Sequence, residues 1–420
     1  MKELRTIVLA AGKGTRMKSK LAKVLHPVCG RPLIQYVVDV AQAAGSLKTY
    51  VVLGYQSQAV REYLDKNIAT VLQKRLLGTA DAVKSAAPFL KTCRGDVLIL
   101  CGDTPLLRQE TIKDLVQKHR KTNAVCTFLT ACVDNPAGYG RIVRGTDCGV
   151  LAIREDKDAT DEEKSISEIN VGVYCFHCPS LLSALSKIKL NAKKKEFYLT
   201  DVVELLVREG RCVSTVTTKD ANEGLGINTR EDLAVAGDIL RQRIVRKWML
   251  AGVTVIDPRT TFIDADAVIG QDTVIRPFVV IEGNVRIGKN CTVGPFTRLR
   301  PGTRIHDHAQ IGNFAEVSRS SLGVRSLMKH FSFLGDAQVG SQVNIGAGVV
   351  TANYDGRKKN VTHIADGAFI GSDSILVAPV KVGKKAVTGA GSVVKKGTAI
   401  PPGRVAVGVP ARIIARRKSS

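Results

Sequence analysis

The chain is poor in aromatic residues, 5% of its 420 with a single tryptophan, and poor in acid, with 38 Asp and Glu against 62 Lys and Arg. It has no apolar run long enough to cross a bilayer, and its start, Met1 to Thr6, leads toward a strand with no signal-peptide cleavage pattern. A cytoplasmic protein without membrane insertion is expected. The ten cysteines show no repeated paired spacing. Scattered through a long chain with no secretion signal, they are expected to be reduced, and the one close pair, Cys175 and Cys178, lacks the second pair that a zinc site needs. The formal charge of +24 invites a nucleic-acid reading. The basic residues are spread along the chain and are not interleaved with aromatics, so no specific nucleic-acid partner is expected, only weak polyanion binding at low salt.

What the chain does have is punctuation and rhythm. At this length it can bury two cores, which predicts two domains. Residues 7–17 (IVLAAGKGTRM) run as a buried strand to Leu9, then as a loop in which Gly12 and Gly14 leave backbone N–H groups uncovered. Such a loop can hold phosphates. Arg16 and Lys23 add positive charge where a triphosphate would lie, so the opening reads as a nucleotide site. Helical spacing from Leu33 to Ala44, followed by apolar strands at 49–54 and 97–100, continues a β–α alternation. That alternation predicts an α/β, Rossmann-like domain with a mostly parallel sheet, helices on both faces, and ligands at the carboxyl ends of the strands. Asp103 follows the strand at 97–100 directly, where a carboxylate suits Mg2+ shared with phosphate oxygens and water.

A different rhythm fills the second half. Leu233, Ala236, Leu240, Ile244 and Trp248 fall on one face of a helix over residues 232–250. Beyond it, Ile263, Ile269, Ile275, Ile281, Ile287, Val293, Leu299, Ile305, Ile311 and Val317 recur at an unbroken spacing of six. Neither a helix nor an alternating strand has that period. A parallel β-helix of hexapeptide repeats does, sending one aliphatic residue inward per short strand. The register slips near Leu322, recovers at Val339 and Ile345, and resumes after a loop at Ile364, Ile370, Leu376 and Val382. Such breaks usually mark insertions, where function gathers. His306 and His308 are too few to bind a metal and are expected at the surface.

The runs LAAGKGTRM and LAKVLH, residues 9–17 and 21–26, resemble the signature of the sugar-1-phosphate nucleotidyltransferases. They are most similar to the family of bifunctional N-acetylglucosamine-1-phosphate uridyltransferase/glucosamine-1-phosphate acetyltransferases, with Ala22 where that family usually has proline. Further segments in family order extend the likeness to residue 228. The resemblance implies that Leu9, Ala10, Ala11, Gly12, Lys23 and Gly102 line a UTP site and that Gln73, Gly78 and Thr79 read the uracil. Gly140, Glu155 and Asn170 would take the N-acetyl sugar, and Asp103 and Asn228 would hold Mg2+. Arg16 and Lys23 would be the catalytic cations as the sugar phosphate attacks the α-phosphorus of UTP and expels pyrophosphate, with no protein nucleophile.

In the second half, residues 329–336, 344–347 and 353–356 resemble the acetyltransferase motifs of the same family. By that resemblance the repeats form a left-handed β-helix working as a homotrimer, and His330 is the general base for the attacking amine. Arg300, Ser318, Phe333, Asn344 and Tyr354 would contact the sugar phosphate. Ala347, Asn353, Tyr354, Ser372 and Ala390 would line the acetyl-CoA groove. Ser318 stands where the family has a phosphate-binding lysine, Phe333 replaces a tyrosine, and the tail at 408–414 is that of a generic hexapeptide acyltransferase. Arg319 is expected to stand in for the lysine only if the chain bends there, because adjacent strand residues face opposite ways.

The implied layout is a nucleotidyltransferase domain over 1–228, a linker helix over 229–252 and a β-helix acyltransferase domain over 253–420. The implied activity is the two-step synthesis of UDP-N-acetylglucosamine for cell-envelope polysaccharides. Two alternatives share that layout. One has a different sugar phosphate or a weak or altered acetyltransferase; the other is a non-catalytic scaffold like the translation-initiation exchange-factor subunits, against which Arg16, Lys23, Asp103 and Asn228 argue.

Overall fold

A computed structural model describes residues 3–191 and 195–414; the ends of the expected first and last domains, residues 1, 2 and 415–420, lie outside the described residues, as do 192–194. The chain divides into two compact units, Met1–Gly237 and Asp238–Ser420. The division falls inside the helix Arg230–Leu250.

In the first unit β1 (Leu4–Ala10), β2 (Lys48–Leu53), β3 (Ala69–Leu72) and β4 (Asp96–Cys101) run parallel. They are continued by β5 (Cys126–Cys132), β6 (Arg141–Arg144), β7 (Val150–Arg154), β8 (Glu168–His177) and β9 (Val213–Thr217). The sheet order is β9-β5-β8-β4-β1-β2-β3, with β6 pairing β8 and β7 pairing β6. Only β8 breaks the parallel run of the main path, lying antiparallel to β4 and β5.

The strands are apolar on both faces because both faces are covered. Ile7, Val52 and Ile99 enter a core with Ala80 and Val83 of α2 (Thr79–Ala86), whereas Val8, Val51 and Leu98 enter another with Ile34 and Val37 of α1 (Leu33–Ala43). In-register pairing of Leu9 with Cys101 and of Leu53 with Leu72 ends four strands at one edge, where the loops carrying Gly12, Gln73 and Asp103 open. Cys175 lies on β8, whereas Cys178 opens the following helix Cys178–Lys187, so the close pair is split between two elements. None of the ten cysteines forms a disulfide among the described residues.

The second unit is a β-helix. Two- to four-residue parallel strands stack so that every third strand joins the same sheet, giving three faces that begin at Thr254–Val255, Phe262–Ile263 and Val268–Ile269. Ile263 lies opposite Ile281 and Ile269 opposite Ile287, and the hexad residues, together with Val245 and Trp248 from the helix, make one continuous core. The break near Leu322 is not an insertion: Leu322 pairs in register with Ile305 and with Val339. Those coils are one residue shorter, and the deficit is absorbed at a corner where Arg319 takes a left-handed conformation, φ 48°. The insertion is the loop at 353–361, between the strands Val350–Ala352 and Thr362–Ile364. Stacked corners leave no room for a side chain at places such as Gly312, where a Cβ would lie 1.8 Å from the carbonyl oxygen of Lys329.

Candidate active sites

In the first unit a cleft of about 620 Å³ opens at the carboxyl ends of the strands. Leu9, Ala10, Ala11, Gly12, Lys23, Gln73, Gly78, Thr79, Asp103 and Glu155 all line it. Gly14 has φ 60°, and a Cβ there would meet Cβ of Lys23 at 2.6 Å, so this glycine lets the phosphate loop lie against the lysine. Lys23 Nζ donates to Asp103 Oδ2 and, at 3.2 Å, to Asn228 Oδ1. Two backbone contacts fix that meeting across the chain: Ile227 N–H donates to Asp103 O at 3.0 Å, and Asn228 N–H to Asp232 Oδ2 at 2.9 Å. Gly102 sits beneath, its N–H on Leu9 O at 2.9 Å.

Two expectations are modified, and one further residue at the cleft is excluded from the chemistry. Arg16 lies exposed on the 3-10 turn Thr15–Met17 and is not among the cleft residues; the loop cation that reaches the cleft is Lys13, which the sequence reading passed over. Gln73 is buried and its amide Nε2 is already given to Asp81 Oδ2 at 2.7 Å and to Gly78 O at 3.2 Å, leaving its carbonyl oxygen to face a base as acceptor. Cys101 also lines the cleft, but burial first, and Asp103 second, push its thiol up to about 12, so it is no nucleophile.

On the sugar side, Glu155 Oε1 accepts from Thr200 Oγ1 at 2.9 Å. Burial, and then the nearby Asp201, Asp158 and Glu196, hold its carboxyl above the ordinary carboxylate range. Tyr198 and Glu196 complete this wall. Gly140 and Asn170 are joined by Asn170 N–H on Gly140 O at 2.8 Å, though neither is on the cleft surface. The Asn170 amide donates to Tyr174 Oη at 2.6 Å and accepts from Gly172 N–H at 3.1 Å, so much of its capacity serves the fold.

In the β-helix the expected residues fall on two separate corners of the prism. His330, Ala347, Ser372 and Ala390 lie where the chain leaves first-face strands for the second face. Arg300, Ser318, Asn353 and Tyr354 lie where it leaves the second face for the third, with Phe333 on the face between and Asn344 on the first face. Gly335, the register partner of Ser318, is five residues past His330, so the expected base and the expected phosphate position lie at neighbouring corners of the prism.

At that corner Ser318 is buried and its hydroxyl accepts from Arg319 Nη1 at 2.9 Å. Arg319 also grips Asp336 through Nε at 2.7 Å and Nη2 at 2.8 Å, and Asn353 donates to the same carboxylate. These bonds, the Arg319 one foremost, hold the Asp336 carboxyl below the usual range. The chain does bend at 319, so the condition for Arg319 to cover the serine is met. Arg300, one coil away, donates to Glu316 at 2.9 Å.

The corner of His330 carries a feature the sequence reading missed. Phe278, Phe296 and Phe314 stack along it with centroids 4.8 and 5.0 Å apart and rings within 6° of parallel, and Phe331 follows in the next coil. All four are about half exposed, and the three stacked residues hold φ between 53° and 60°. An eighteen-residue recurrence of phenylalanine was the available signal.

Fold and clefts together define a nucleotidyltransferase unit followed by a hexapeptide-repeat transferase unit. The nucleotidyl transferase family model matches residues 5–249, the bacterial transferase hexapeptide model residues 266–301 and 286–319, and the model for the hexapeptide repeat of succinyl-transferase residues 361–396. Bifunctional protein GlmU of Geobacillus sp. (strain WCH70) is 45% identical over 421 residues, covering 92% of this chain and 92% of its own. That of Bacillus subtilis (strain 168) is 42% identical over 421 residues with the same coverage. A solved UDP-glucose pyrophosphorylase complexed with UDP-glucose is similar over 58% of this chain and 100% of its own, at 19% identity and a TM-score of 0.49. The chain belongs to the bifunctional GlmU family.

Proposed function

We propose that the chain makes UDP-N-acetylglucosamine in two steps: acetylation of glucosamine-1-phosphate by acetyl-CoA within residues 253–420, then uridylyl transfer from UTP to the product within residues 1–228, with helix 229–252 joining them. The observation that carries the second step is the meeting of Lys23, Asp103 and Asn228 beside the glycine loop. One carboxylate and one amide oxygen aimed at a single cation position are a donor set that suits Mg2+, whose remaining positions go to phosphate oxygens and water. Mg2+, when bound by Asp103 and Asn228, supplies charge neutralisation for the phosphates.

The residues themselves divide the remaining work. Loop N–H groups of Ala11 and Gly12 receive phosphate oxygens, Lys13 and Lys23 balance their charge, and the Gln73 carbonyl oxygen accepts the imide N–H of uracil. Glu155 accepts a sugar hydroxyl. The sugar phosphate then displaces pyrophosphate, with the protein contributing position and charge.

For acetylation, His330 takes a proton from the amine as it attacks the thioester, and Arg300 with Arg319 holds the phosphate at the neighbouring corner. The exposed phenylalanine ladder ending at Phe331 is an apolar surface of the kind that a second copy covers. We read the assembly as a homotrimer, located in the cytoplasm with its co-substrates UTP and acetyl-CoA. A second reading, another sugar phosphate as acceptor, is favoured by Phe333, which offers no hydroxyl where the family has tyrosine. Pyrophosphate and CoA release measured on the full chain over a panel of sugar-1-phosphates separates the two: acetylation confined to glucosamine-1-phosphate supports the first, and a preferred different amino sugar overturns it.

A further inference from the structure

We propose that Arg141, which does not line the cleft, is the positioning residue for the sugar half of the uridylyl-transfer site. This rests on reading Gly140, Glu155 and Asn170 as that half. Arg141 is 2% exposed, the bulkiest fully buried side chain among the described residues. Its guanidinium is tied at two ends: Nη1 donates to the carbonyl oxygen of Tyr139, and Nη2 to Asp156 Oδ1 at 3.0 Å. Its Nε, also buried, has no hydrogen-bond partner among the described residues.

Each of these ties lands one residue from the sugar site. Tyr139 precedes Gly140, and Asp156 follows Glu155. Through the ladder, Arg141 stands opposite Arg154 on β7 and Ile169 on β8, the residues just before Glu155 and Asn170. Arg141 thus fixes the spacing of three segments far apart in sequence, whose side chains or backbone would surround one sugar ring.

Stability does not explain such a residue. A guanidinium withdrawn this far from water loses much hydration, its carboxylate partner is a third exposed, and one buried donor goes unmet. Buried pairs of this kind are often no more stable than an apolar side chain of similar size. What a fork with two fixed ends does supply is geometry, and small displacements of binding groups are felt strongly in positioning.

The test is steady-state uridylyl transfer by the full chain with Arg141→Met and Arg141→Lys. Arg141→Met is expected to fold with an unchanged or higher thermal midpoint while KM for N-acetylglucosamine-1-phosphate rises about tenfold and KM for UTP stays within about twofold. Arg141→Lys, a point charge without the fork, is expected to recover part of the loss. Unchanged KM for the sugar phosphate, or both KM values rising together with a fall in the midpoint, overturns the proposal. Should Arg141→Met not fold, Asp156→Asn decides in its place, with a smaller rise confined to the sugar phosphate expected and no rise overturning the assignment. Glu155→Gln is the control on the underlying reading. If it leaves the sugar KM unchanged, the sugar site itself is misplaced and this inference falls with it, whereas a Glu155 effect without an Arg141 effect removes only the latter.

Discussion

The two units handle the same problem, gathering distant residues at a site, in opposite ways. In the α/β unit parallel strands end together, so loops from residues 9–14, 23, 73–79, 101–103 and 228 converge in one cleft of one chain, and Lys23 meets partners 80 and 205 residues away. In the β-helix each coil contacts its neighbours, so functional residues are drawn out in columns, His330 along one corner and Arg300 with Ser318 along another. A doubly wound sheet makes a crevice by itself. A solenoid makes surfaces and, on our reading, needs a second copy to turn two of them into a crevice.

That contrast is broken most sharply by Asp103→Asn. Pyrophosphate release should fall about a thousandfold while acetyl transfer is unchanged, since the carboxylate would hold the Mg2+ that neutralises developing phosphate charge, a contribution worth several kcal/mol. Loss of both activities together would show that the two sites are not independent. Next comes Phe296→Asn with Phe314→Asn. Asparagine accepts the left-handed backbone of both positions, so the single chain should fold at least as well, but sedimentation should show monomer and acetyl transfer should drop about a hundredfold. A trimer retaining full acetyl transfer would remove the ladder from the interface.

Arg319→Ala should raise KM for glucosamine-1-phosphate about tenfold, the worth of one charge-assisted contact, and leave uridylyl transfer alone. If instead Ser318→Lys lowers that KM and Arg319→Ala leaves it unmoved, the phosphate position is unfilled and Arg319 is only the partner of Asp336. Smallest is the effect of Glu155→Gln, a few-fold rise in sugar KM at pH 7. Burial raises the carboxyl of Glu155 above its unfolded value, so its charge opposes folding at neutral pH and is relieved as pH falls through the raised value. The glutamine variant should therefore melt at the same or a higher temperature at pH 7, and the difference should shrink on acidification. In the wild type, sugar KM should rise on acidification earlier than an ordinary carboxylate would allow. A glutamine variant that melts lower at pH 7 would contradict the buried charge.

What the sequence determined by itself is everything that local periodicity and backbone chemistry decide. A spacing of six sends one residue inward per strand wherever it occurs, so Ile263 to Val317 could be placed in a core without knowing their neighbours. The glycine loop and the carboxylate just past β4 had their positions set by the rule that strands in such sheets end at the ligand edge. Tertiary structure alone decided which side chains those positions finally offer. Lys13 and not Arg16 reaches the cleft, Gln73 has given its amide N–H groups to Asp81 and Gly78, and a coil shortened by one residue turns Arg319 onto Ser318. Arg141, unremarked in the string of letters, proves to tie Tyr139 to Asp156. The reason is common to all four: where a side chain ends depends on how the backbone around it turns and which neighbouring groups that turn brings within reach, and residue spacing alone fixes neither.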